Sequence, residues 1–477
     1  MHQRTNPARF HRRAAIAVLA MIAAVSGSLQ CRRATSSDVD PVDREAEEAL
    51  VSYLRIDTSN PPGNETAGAR FLQQLLAREG IEAQLVGGDP ARQSVYARLR
   101  SGSREKALLL LHHIDVVPAV AGEWTKPPFA AVRSGGYIWG RGALDIKSLG
   151  IAEAMAMIEL KRRNLPLKRD VIFLGVADEE AGGLRGVNDL LEHRPDLFTD
   201  VGFVLNEGGY NETIVDRVAF WGIEIQQKVP LWLRIDIKGV PGHSASPPDD
   251  GGTIMRALRV LENIRQIPAP YRLTPAVQRY YQALGKTKND ARGQLLASIA
   301  EPLDTERIDR TLSPGYRSLL HDTIAVTRFD SGNSVNAIPA HAVAEVDIRL
   351  LPDEKPDAML KKVRDVAGKW GEVTVILTGD PVAESPSDTE LFAALSRAMQ
   401  KSEPHSAVAA VVGAGTSDSR FFRARGITAY GIAPFKVNYY DADTVHGIDE
   451  RIRSNFFQEG VHLMRAIVAD FCATRQP

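Results

Sequence analysis

Val171-Ile172-Phe173-Leu174-Gly175-Val176-Ala177 runs directly into Asp178-Glu179-Glu180. An apolar run of this length without polar alternation reads as a strand covered on both faces of a parallel sheet. Such a strand delivers its last residues to the carboxyl edge, where open α/β sheets bind ligands. Three adjacent carboxylates there repel one another and resist desolvation. A bound cation removes both costs, and a solvated acidic turn avoids them. The rest of the chain has to separate the two.

Working outward, the periodicity predicts helices at 43–56, 65–79, 147–163 and 184–192, and strands at 94–99, 107–111, 170–177 and 201–205. This alternation is that of an α/β sheet with helices on both faces. Near residue 226 the pattern changes. Residues 231–237 and 342–349 alternate with period two, as strands with one covered face do. Helical patterns follow at 253–265 and 355–369, with a further strand at 372–377. Residues 275–320 read as helical and polar, with no chemistry assigned. From about 385 the α/β pattern resumes, with helices at 389–401 and 451–473. The economical division is an N-terminal signal or anchor at 1–30, an α/β catalytic domain at 43–225 and 381–473, and an α+β domain inserted at 226–380.

A net charge of -1 over 477 residues gives no electrostatic footprint for nucleic acid. Arg9, Arg12 and Arg13 precede the apolar run 14–25, which has signal-peptide form and is short for a membrane span of about 20 residues. The expectation is a secreted or periplasmic protein, with membrane contact only through an uncleaved N-terminus. Cys31 and Cys472 are the only cysteines, so a disulfide framework and a thiolate zinc site are both excluded. Any metal must sit on His and carboxylate.

Four further segments end strands or loops on such donors. Leu108-Leu109-Leu110-Leu111 leads into His112-His113-Ile114-Asp115, and Val204-Leu205-Asn206 leads into Glu207. Gly140-Arg141-Gly142-Ala143-Leu144-Asp145 precedes a helix, and His446 precedes the last one. Each has an ordinary reading of its own: a solvated strand-end His, an N-cap Asp, a loop Glu, a capping-region His. Together, His113, Asp145, Glu180, Glu207 and His446 form a nitrogen–carboxylate set that suits zinc, with cobalt or manganese as substitutes.

The ordered segments resemble the M20 metallopeptidases, a family of dizinc amidohydrolases. The resemblance rests on His113-Ile114-Asp115-Val116-Val117-Pro118, Gly140 to Lys147, Asp178-Glu179-Glu180, Asn206-Glu207-Gly208 and His446-Gly447. It extends to Pro241-Gly242-His243-Ser244, Asn333 to Pro339, Asp347-Ile348-Arg349-Leu350 and Gly415-Thr416-Ser417-Asp418. It covers nearly the whole chain after residue 43. It implies a zinc-peptidase-like α/β catalytic domain with an inserted α+β dimerisation (lid) domain, and a homodimer formed through that insertion.

It further implies two zinc ions, one on Glu180 and His446 and the other on His113 and Glu207, with Asp145 bridging. Asp115 would orient His113, and Glu179 would act as general base. His243 of the partner subunit would stabilise the oxyanion. Arg349, Asn336 and Gly415 would hold the substrate's carboxylate. The Asp145-Ile146 peptide would be cis. His112 stands where the family usually has Gly, and would crowd the site or add a donor. The expected reaction is hydrolysis of an amide bond beside a free carboxylate, in a small peptide or an N-acyl amino acid. Peptidase and deacylase are not separated at this level. A non-catalytic metal-binding protein and a membrane-tethered interaction protein are the competing classes.

Overall fold

The computed structural model describes residues 40–474. The signal or anchor expected at 1–30 lies outside the described residues. Among those described, no helix is long and apolar enough to cross a membrane.

The apolar run forms the strand Val171–Val176, buried at every position. It pairs in parallel with Ala107–His113, which pairs in parallel with Val201–Asn206, itself parallel to Thr428–Gly431. These four are the centre of a nine-stranded sheet. Antiparallel Ser94–Leu99 and Ala83–Val86 extend one side. Arg217–Gln227 and the parallel Ala407–Gly413 extend the other. The continuous apolar runs follow from this layering. Leu108, Leu110 and Phe173 face one core, shared with helices Lys147–Arg162 and Ser454–Cys472. Leu109, Leu111, Ile172 and Leu174 face the other, with Val187, Leu190 and Phe422. Alternate side chains of a strand point to opposite faces, so both faces demand apolar residues.

A second, antiparallel sheet runs in the order Thr323–Ser331, His341–Leu350, Val229–Lys238, Gly371–Thr378. Leu231, Leu233, Ile235 and Ile237 pack with Ala344, Val346 and Ile348 in a separate core beneath helices Gly252–Arg265 and Pro356–Ala367. The alternate residues Trp232, Arg234, Glu345, Asp347 and Arg349 face away from that core and are half-buried. This is the period-two signature of a sheet with one covered face.

The helical stretch between Pro275 and Arg317 interrupts the small-sheet sequence but packs elsewhere. Val277, Tyr281 and Leu296 share a core with Phe220, Val411 and Val412 of the large sheet. Two other expectations shift. The helix expected at 184–192 is a π-type turn at Leu184–Asn188 followed by Asp189–His193. Gly186 breaks the helix with φ -106° and ψ -108°, and a Cβ there would lie 1.8 Å from the Ala177 carbonyl oxygen, so only glycine fits against the strand end. The last helix starts at Ser454 rather than 451, because Arg451–Arg453 is a strand paired with Tyr137–Trp139.

Candidate metal centre

The order of the central strands places the chemistry. Val171–Val176, Ala107–His113 and Val201–Asn206 are adjacent and parallel, so their carboxyl ends lie side by side. They present Glu179 and Glu180, His113, and Glu207 respectively. Asp145 comes from the turn before helix Lys147–Arg162, and His446 from the loop before Arg451–Arg453. The Asp145-Ile146 peptide is cis, and His446 has φ +58°.

Two donor groups result: His113, Asp145 and Glu207, and Asp145, Glu180 and His446, with the donor atoms of each within 4.8 Å of one another. Asp145 is common to both. Its Oδ1 lies 3.1 Å from His113 Nε2, and its Oδ2 lies 3.0 Å from His446 Nε2. Glu207 Oε2 is 3.6 Å from His113 Nε2, and Glu180 Oε2 is 3.3 Å from His446 Nε2. Glu180 Oε1 is buried without a hydrogen-bond partner. A shared carboxylate, two imidazoles and two flanking carboxylates form a donor set that fits divalent cations.

The electrostatics reflect this crowding. Burial, together with the Glu207 charge, pushes the Glu179 carboxyl well above the usual range. Burial and Asp145 raise Glu180. Hydrogen bonds to Asp145 and Glu180 raise His446 to about 10. At His113 burial opposes protonation, but Glu207 and Asp145 outweigh it and the imidazole moves well above its usual value. An imidazole must shed its proton to ligate a metal. Metal addition to chelator-treated protein at neutral pH should therefore release roughly two protons per chain. Calorimetric titration in buffers of differing ionisation enthalpy measures this, and a buffer-independent heat would show that the two imidazoles are already neutral in the metal-free protein.

Asp115 differs from expectation. His113 Nδ1 lies 2.8 Å from the Asp115 backbone carbonyl oxygen, while the nearest Asp115 carboxylate oxygen is 3.7 Å away. The ring is oriented by main chain, which fixes the tautomer just as a carboxylate would. The carboxylate instead accepts from the Glu179 and Glu180 amides at 3.2 and 3.0 Å.

His112 does not crowd the site. It is fully buried on the opposite side of its strand, 2.9 Å from Glu153 Oε2. Burial lowers its pKa to about 3, so it is a neutral core histidine. Period two sends neighbours to opposite faces, which decides this against a donor role.

Sequence reading also missed Glu450. Fully buried, it accepts from Arg141 Nη1 at 2.6 Å and from the Leu144 and Asp145 amides at 2.7 and 3.0 Å. It thereby holds the turn that aims Asp145. Its position four residues after His446 was the only available signal.

Asp145, Glu180, Glu207 and His446 open into a cavity of about 790 Å³ that Glu179, Trp232, Arg349, Ile376 and Gly415 also line. Arg349 Nη2 pairs with Asp347 at 3.0 Å. His243 and Asn336 do not line this cavity. Both are exposed, on a short ribbon in which Gly242–His243 pairs with Ala337–Ile338.

The profile of Peptidase family M20/M25/M40 matches residues 109–470. N-fatty-acyl-amino acid synthase/hydrolase PM20D1 of Xenopus tropicalis is 30% identical over 85% of this chain and 81% of its own length. Aminoacylase-1A of Rattus norvegicus is 26% identical over 87% of this chain and 93% of its own. The crystal structure of the M20 family metallo-carboxypeptidase Sso-CP2 from Sulfolobus solfataricus superposes with a TM-score of 0.71 at 20% identity, covering 89% of this chain and 98% of that one. A profile match across the catalytic strands, a relative aligned along most of both chains, and donors at the carboxyl ends of adjacent parallel strands agree: the chain belongs to Peptidase family M20/M25/M40.

Proposed function

We propose that this hydrolase cleaves the amide bond of N-acyl amino acids, using two divalent cations, with zinc the ion best suited to the donors. His113 and Glu207 would hold one, Glu180 and His446 the other, and Asp145 both. Bound there, the cations supply Lewis acidity toward the scissile carbonyl and toward water. The single observation that carries the reading is the cavity itself. It joins the donor cluster to a guanidinium, Arg349, and to an apolar wall that includes Val117, Trp232 and Ile376. The substrate has the same three parts: a scissile amide, a carboxylate and an acyl chain.

Glu179 belongs to neither donor group yet lines the cavity. It takes a proton from the attacking water and returns it to the leaving amine. Arg349 receives the substrate carboxylate through its planar fork, beside Gly415, where an added Cβ would lie 3.7 Å from Arg349 Nη1. A homodimer accounts for His243 and Asn336. Their ribbon is exposed, and the edge strand Thr323–Ser331 presents Val326 and Phe329 to solvent, a surface that pairing with a second chain would cover. His243 of the partner subunit would then reach the oxyanion, with Asn336 beside it on the same ribbon.

A panel of N-acyl amino acids of rising chain length, set against dipeptides and assayed with zinc, cobalt and manganese, tests the assignment. The expected result is a kcat/KM that rises with acyl length and exceeds that for dipeptides. Turnover confined to free dipeptides would overturn the acyl reading. Arg349→Ala should lower kcat/KM roughly 10- to 100-fold for substrates with a free carboxylate, the scale of a charge-assisted pair. Amidated substrates should show no such loss, and an equal loss on both would remove Arg349 from carboxylate binding.

A further inference from the structure

The acidic triplet is held from behind by a buried chain of polar groups with no part in the donor set. Asp178 adopts a left-handed conformation, φ +75°, immediately before Glu179. Its carboxylate accepts from the Arg185 amide at 2.8 Å and pairs with Arg92 Nη2 at 2.8 Å. Arg92 also donates through Nε to both oxygens of Glu65, at 3.2 and 3.1 Å. Glu65 is fully buried and Arg92 is 6% exposed. The Asn60 side-chain amide spans the two acids of the turn, 2.9 Å from Asp115 Oδ2 and 3.4 Å from Asp178 Oδ1. Asp115 in turn accepts from the Glu179 and Glu180 amides. Gly63 gives Arg92 its room, since a Cβ there would lie 2.3 Å from Arg92 Nε.

We propose that Arg92 is a positioning residue. Anchored by Glu65, it holds Asp178 in its left-handed turn and, through Asn60 and Asp115, sets the two successive amides that aim Glu179 and Glu180 into the cavity. A left-handed non-glycine residue is disfavoured unless its surroundings hold it. Here those surroundings are a guanidinium, a side-chain amide and a backbone amide. Turning the residue that precedes two adjacent side chains turns both, so one relay governs a proton-transfer group and a metal donor together. The inference rests on the reading of Glu179 as base and Glu180 as ligand.

The test is Arg92→Met beside Arg98→Met in the full chain. Arg98 joins Asp170 and Asp200 in a comparable partly buried ion-pair group, with no tie to the triplet. With cobalt in place of zinc, Arg92→Met should shift the visible absorption spectrum and weaken metal affinity by roughly 10- to 100-fold, the scale seen when groups behind metal ligands are removed. It should also lower kcat more than it raises KM. Arg98→Met should lower the melting temperature while keeping the wild-type spectrum and kcat. Arg92→Lys keeps the charge but loses the fork, and should fall between wild type and Arg92→Met.

An Arg92→Met protein with wild-type spectrum, metal affinity and kcat would overturn the proposal. If Arg92→Met fails to fold, Asn60→Ala, which leaves the ion pair in place, is read by the same spectrum and the same kcat-against-KM split. A wild-type result there would overturn it equally. Failure of the wild-type protein itself to bind metal or turn over would refute the underlying reading instead.

Discussion

Glu179→Ala should retain the full metal content of the wild-type protein and lose roughly 10²- to 10⁴-fold in kcat, the range that a positioned general base contributes. The two halves of this result come from different geometry. Glu179 is in neither donor group, so its removal leaves every ligand in place. It lines the same cavity as Asp145, Glu180 and Glu207, whereas no other member of the triplet outside the donor groups does. Asp178, the remaining member, is turned away and held by Arg92. Any acid limb of the pH–rate profile owed to Glu179 should vanish in the variant, and Glu179→Gln should behave in the same way while keeping the side chain's shape. Elemental analysis and a steady-state assay decide it, and a variant with wild-type kcat would strip Glu179 of the proton-transfer role.

Three of the candidate donors were legible because each follows a strong local signal. His113, Glu180 and Glu207 stand at or just past the ends of apolar runs, and such runs in a parallel sheet end on one edge. Asp145 and His446 were legible only through the ordered motifs, since nothing in the periodicity around them points inward. The supporting groups left almost no trace in the sequence. Glu65 is the first residue of an amphipathic helix, Arg92 lies in a loop and Glu450 follows a loop. In sequence each looks like a solvated surface charge, and only tertiary packing turns it into a buried partner.

The same reason hid the strand Arg217–Gln227, which pairs with Ala407–Gly413. Glu224, buried in the first, looks like a solvent-facing residue until Arg423 is seen beside it at 3.4 Å. His112 shows the converse error. Its position beside His113 in sequence suggested that it would crowd the site or add a donor, whereas the strand's alternation sends it to the core to meet Glu153. Asp115 was given the right partner through the wrong atom, because sequence cannot say whether a side chain or its own carbonyl makes a contact two residues back.

The shared position of Asp145 leads to the second large effect. Its two carboxylate oxygens face different histidines, at 3.1 and 3.0 Å, and it alone belongs to both donor groups. Asp145→Ala should therefore abolish detectable turnover and weaken metal binding at both positions, because each group falls to two protein ligands and a stable zinc site ordinarily needs three or four. His446→Ala should act on one position only, because His113, Asp145 and Glu207 remain together. The expected contrast is at most traces of metal in dialysed Asp145→Ala and close to half the wild-type content in His446→Ala. Backbone disruption is not expected in either variant: Glu450 grips the amide of residue 145 rather than its side chain, and His446 is half exposed. Unchanged melting of the chelated proteins would verify that. Equal metal loss in the two variants would refute the bridging role of Asp145, and full metal retention in Asp145→Ala would place the ions elsewhere.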